Sequence, residues 1–68
     1  MSDPLYWDDA YSIALLLNAA HPDVGDPSQV MLPQLKTWVT ALNGFADDHE
    51  TAPVEQLEQI QVEWVELK

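Results

Sequence analysis

The stretch PVEQLEQIQVEWVELK, residues Pro53 to Lys68, decides the fold class. Proline opens a helix well, because its missing N–H has no partner in the first turn and its φ is already set. Val54, Leu57, Ile60, Trp64 and Leu67 then recur at intervals of three and four, which puts them on one side of a helix. Glu55, Glu58 and Glu63 fall between them and are expected to face water.

The same rhythm continues toward the N-terminus. Leu35, Trp38, Val39 and Leu42 form the apolar face of a helix that Pro33 opens, and Asn43-Gly44 supplies its left-handed stop. The β-branched pair Val39-Thr40 does not change that assignment. Before it, PDVGDPSQV holds Pro22, Gly25 and Pro27 in a turn, with Asp26 as N-cap of a short helical element. Earlier still, Trp7-Asp8-Asp9 reads as a helix start, with Asp8 as N-cap and Asp9 favoured by the positive helix end. Ala10, Ile13, Leu17 and Ala20 follow at helical spacing, Leu16 widens the stripe, and His21-Pro22 ends the helix. Trp38 and Trp64, both on apolar stripes, read as core, while His21 and His49 read as surface residues. Any strand is confined to the few residues from Val30 to Leu32. The expectation is an all-α chain: one acidic helical domain over residues 1–68, built from three helices and a short one.

Composition sets the limits on function. Of the 68 residues, 47% are apolar and three are tryptophan, which suffices for a core without covalent staples. The absence of cysteine excludes disulfides, zinc-thiolate sites, iron-sulfur ligation by the chain and thiol catalysis. The N-terminus has no basic or apolar leader character and no stretch is long enough to span a bilayer, so a soluble cytoplasmic protein is expected. Twelve acids stand against Lys36 and Lys68, for a net charge of −10. Nucleic-acid binding needs cationic side chains on phosphates, and anionic membranes repel such a chain. Basic proteins or cations are the natural partners.

The densest acidic stretch is FADDHE, Phe45 to Glu50. Asp47, Asp48, His49 and Glu50 supply hard oxygen donors and one imidazole, a set suited to magnesium, manganese or ferrous iron. Adjacent residues do not converge on one ion unaided, and the spacing fails the calcium-loop pattern. Two other readings stand beside the metal. The acids are simply solvated and stabilise the start of the last helix, or they belong to a docking face. On the docking reading Asp8, Asp9, Asp23, Asp26, Asp47, Asp48 and Glu50 share one end or face, with Phe45 anchoring the loop to the core, and meet a basic partner. Such crowding is expected to raise carboxylate pKa values, so that stability rises as pH falls from neutral. Catalysis is not expected: Ser12 and Ser28 lack a nucleophile context, no phosphate loop exists, and the chain is too small for a water-excluding pocket.

Leu5-Tyr6-Trp7-Asp8-Asp9, Ile13, Leu17, Pro22-Asp23, Asp26-Pro27, Val30, Trp38, Leu42, Phe45 with Asp47-Asp48, Leu57-Glu58, Ile60 and Trp64 together resemble the IscX family of small acidic iron-sulfur cluster assembly proteins. The resemblance covers Leu5 to Trp64. It implies an all-helical, modified winged-helix fold that binds no DNA, and binding through an acidic face to the cysteine desulfurase that supplies sulfur. It further implies a regulatory role in competition with a frataxin-like protein, and weak, exchangeable binding of ferrous iron as adaptor or donor. Asp9, Asp23, Asp26, Asp47 and Asp48 fall on the family's acidic positions and are the residues it assigns to iron or partner contact. Two positions depart from the pattern: Gly25 lengthens the Pro22-to-Pro27 turn by one residue, and Ala46 stands where a third acid often follows the phenylalanine. The alternatives to a desulfurase-binding accessory are an iron-responsive protein whose metal load is primary, and a generic acidic interaction domain.

Overall fold

The computed structural model describes residues 4–68, so the first three residues of the expected domain lie outside the described residues. Helix α1 spans Ala10–Ala20, a 3-10 turn spans Pro27–Gln29, α2 spans Leu32–Thr40 and α3 spans Val54–Glu66. The all-helical expectation is met. Among the described residues, bridge pairing is confined to one parallel bridge, Leu5 to Phe45, and not to the Val30–Leu32 region. They therefore contain no strand ladder from which the wing of a winged-helix fold is built.

Helix α3 is the centre of the molecule. It packs against α1, the 3-10 turn and α2, and its Leu57, Ile60 and Trp64 meet Ile13, Ala14 and Leu17 of α1 and Leu35 and Val39 of α2 in one buried cluster. Full burial of an aliphatic side chain stabilises by ~1.5–3 kcal/mol, so this cluster is the main force holding a chain with a short core. Trp64 is fully buried, and its indole N–H finds no hydrogen-bond partner among the described residues. Trp38 is partly buried, packing edge-on to Trp64 at 6.2 Å and stacking on His21 at 4.1 Å. His21 is therefore a half-buried aromatic partner and not a surface residue. His49 is exposed, as expected.

Several boundaries differ from the sequence reading. Asp9, not Asp8, occupies the N-cap position of α1, and its side chain accepts from the Tyr6 N–H before the helix at 3.0 Å. The α1 stripe turns toward Ala14, which leaves Leu16 41% exposed and Ala20 on the surface. Pro33 lies in the first turn of α2, and Pro53 is the N-cap residue of α3. Asp26 caps the 3-10 turn as expected, its Oδ1 accepting from the Ser28 N–H at 3.1 Å and hydroxyl at 2.6 Å. The turn is pinned to α3 by Gln61, whose Nε2 donates to the carbonyls of Pro27 at 3.2 Å and Val30 at 2.6 Å.

Candidate functional site

Two segments distant in sequence meet at Trp7. The chain turns after α2 at Gly44, whose φ of 94° suits a residue without Cβ. The Leu5 N–H then donates to the Gly44 carbonyl at 3.0 Å, and the Ala46 N–H to the Leu5 carbonyl at 2.8 Å. This bridge lays the N-terminal segment along the FADDHE loop. Trp7, 3% exposed, locks the two together. Its N–H donates to Asp47 Oδ2 at 3.0 Å, its indole N–H to the Asp48 carbonyl at 2.8 Å, and its ring meets the Phe45 ring edge-to-face at 4.8 Å. Phe45 thus anchors the loop as expected.

The carboxylates here are held, not loose. The consecutive amides of Tyr6 and Trp7 donate to Asp9 and Asp47 in turn. Asp47 Oδ1 also accepts from the Asp48 N–H at 2.7 Å. Asp48 accepts from the Glu50 N–H at 2.9 Å and the Thr51 hydroxyl at 2.8 Å. Ala52, with φ 31°, then bends the chain into α3. Charge-assisted bonds of this kind favour the ionised form. The Glu50 amide and Thr51 hydroxyl hold the Asp48 pKa below its ordinary 3.8, and the Ser28 hydroxyl and amide do the same for Asp26. At these two positions local hydrogen bonds outweigh desolvation, and the pKa moves down, opposite to the rise expected from crowding.

The seven acids of the expected docking face lie on segments at both ends of α1. Asp8, Asp9, Asp47, Asp48 and Glu50 lie around Trp7 and the start of α1. Asp23 and Asp26 lie on the connector beyond its far end, and a helix of 11 residues is ~16 Å long. For the same reason Asp9, Asp23, Asp26, Asp47 and Asp48 do not converge on a single ion. Among the described residues no group of three or more Asp, Glu, His or Cys side chains is placed to hold a metal. The donor set does not fit a resident iron centre.

Trp7 is not marked as a site residue by the sequence, in which it reads only as the residue before a helix. Its signal is an aromatic directly preceding an acidic pair, outside any helical stripe, where burial has to come from elsewhere in the chain.

A family model described as iron-sulphur cluster assembly matches residues 5–68. The match takes in the bridge, the Trp7 lock, the FADDHE loop and all three helices. The chain belongs to this family, the IscX family. An uncharacterized protein of Pseudomonas aeruginosa is 39% identical over 62 residues, covering 91% of this chain and 92% of that protein. Membership gives the IscX-family chain a role in iron-sulfur cluster assembly. Among the described residues no helix is long and apolar enough to cross a membrane.

Proposed function

We propose that the chain is a non-catalytic accessory of cluster assembly that docks its acidic Trp7 end on a basic surface of the cysteine desulfurase and modulates that enzyme. The observation that carries this reading is the lock at Trp7: two consecutive backbone amides and an indole N–H hold Asp9, Asp47 and the Asp48 backbone in fixed positions. Preorganised carboxylates lose little freedom on meeting lysine or arginine, so more of the interaction survives as affinity. A net charge of −10 adds long-range attraction to a basic surface, which acts mainly on the association rate. Asp8 and Glu50, exposed beside the lock, extend the acidic end.

In this reading ferrous iron is exchangeable cargo, met by one or two exposed carboxylates at a time and therefore weakly bound. A protein whose metal load came first would need a convergent donor set. The frataxin-like protein, as a competitor, would displace the chain from the same basic surface.

The test is a titration of purified desulfurase with the chain at low and high salt, repeated with the frataxin-like protein present. A complex at low salt that weakens steeply as the Debye length falls below ~8 Å, and that the competitor displaces, is the expected result. No complex at low ionic strength sinks the reading. A complex that persists unchanged in Asp47→Asn places the contact elsewhere.

A further inference from the structure

Helix α3 carries two apolar stripes, and the core uses only one. Leu57, Ile60 and Trp64 are buried, whereas Val62 is 50% and Val65 40% exposed. Valine is a weaker helix former than the glutamate, glutamine or lysine that a wet position accepts. The core thus uses these two side chains only in part. Val62 stands four residues from both Glu58 and Glu66 and three from Val65, which gathers the four on one side of the helix, and Ser28 lies across from them. The result is an open groove of about 410 Å³ lined by Ser28, Glu58, Gln61, Val62, Val65 and Glu66. Gln61 makes it a fixed shape, because its bonds to the Pro27 and Val30 carbonyls hold the turn carrying Ser28 against α3.

The charge of this groove decides its occupant. Both ionisable residues lining it are acidic, and they stand at its two ends, since the helix rises ~12 Å from Glu58 to Glu66. A second copy of the chain, itself at −10, is repelled. We propose that the groove receives an amphipathic helical segment of a basic partner protein, with an apolar side chain of that segment against Val62 and Val65 and flanking lysine or arginine against Glu58 and Glu66. Helices bind grooves in this way through apolar anchors at helical spacing, and the rim charges select for cationic flanks. The groove is separate from the Trp7 end, because Val62 lies ~12 Å along α3 from Val54. The inference therefore stands whether or not the acidic end docks on the desulfurase.

The test is an NMR titration of the ¹⁵N-labelled chain with a synthetic helical peptide bearing leucine on one face and lysine on the other. A peptide of the same composition in scrambled order is run beside it. Amide shifts at Ser28, Gln61, Val62 and Val65 with the patterned peptide alone support the groove. Val62→Glu/Val65→Glu separates shape from charge: it is expected to weaken binding at least about tenfold, although it makes the surface more acidic. Val62→Ala/Val65→Ala, which leaves the charge unchanged, should weaken it in the same direction. Equal binding of the scrambled peptide, tighter binding by the diglutamate variant, or shifts confined to Asp47–Glu50 overturn the proposal. So do concentration-dependent shifts at Val62 and Val65 without peptide, which would assign the groove to a second copy.

Discussion

Asp47 shows how an acidic residue can be structural and exposed to a partner at once. Its Oδ2 satisfies the part-buried Trp7 amide, so Asp47→Ala leaves that donor orphaned and is expected to destabilise by ~1–3 kcal/mol. Asp47→Asn keeps an acceptor and should lose much less, which urea denaturation of both variants will show. Asp26 and Asp48 give the pH dependence its sign. A carboxylate whose pKa is lower in the fold than in the unfolded chain binds fewer protons when folded, so its contribution is complete at neutral pH and is lost as pH falls through the folded value. Thermal midpoints should therefore hold from neutral to about pH 5 and fall below it. A midpoint that climbs steadily on mild acidification would show that crowding outweighs the bonds to Ser28, Glu50 and Thr51.

At the scale of elements, the two glycines separate a required conformation from an incidental one. Gly44 holds φ 94° at the turn that starts the Leu5–Phe45 bridge, whereas a methyl group at Gly25 would meet only open space, and the backbone there does not take a positive φ. Gly44→Ala should destabilise by roughly 1 kcal/mol or more, and Gly25→Ala should stabilise by about 0.4–1 kcal/mol, because it restricts only the unfolded chain. Thermal melts of the pair check both signs. Helix α3 is the element on which the others depend. Ile60 is fully buried at its centre, and Ile60→Ala is expected to cost ~2–5 kcal/mol. That is a large share of the ~3–10 kcal/mol available to a domain of this size, so the variant should show broadened, partly unfolded NMR spectra.

The whole molecule is governed by its charge. At −10 the folded state repels itself, and screening relieves this. Sodium chloride should raise the melting temperature while slowing association with a basic partner, two opposite effects from one cause. Calorimetry and stopped-flow measurements over the same salt series check them together. The molecule measures 27 × 26 × 16 Å, so its longer dimensions exceed the Debye length of ~8–10 Å at moderate salt, and the repulsion acts mainly between neighbouring acids.

The helices were legible in the sequence because periodicity is local: Leu57, Ile60 and Trp64 declare a buried face through spacing alone, as do Ile13, Leu17, Leu35 and Val39. Net charge, the exclusion of thiol chemistry and the family resemblance were legible for the same reason, being properties of the chain and not of its contacts. What only the tertiary structure decided depends on partners far apart in sequence. Trp7 is buried because Phe45 and Asp47 come to it, His21 is half-buried because Trp38 stacks on it, and the exposed valines of α3 become a groove because Gln61 holds the turn at Ser28. The acids followed the same division. Their number, and the placing of Asp8, Asp9, Asp23 and Asp26 at the two ends of the first helix, were written in the sequence, but the meeting of Asp47 with Trp7, and the hydrogen bonds that hold Asp26 and Asp48 ionised, arise from where the folded backbone places its N–H groups.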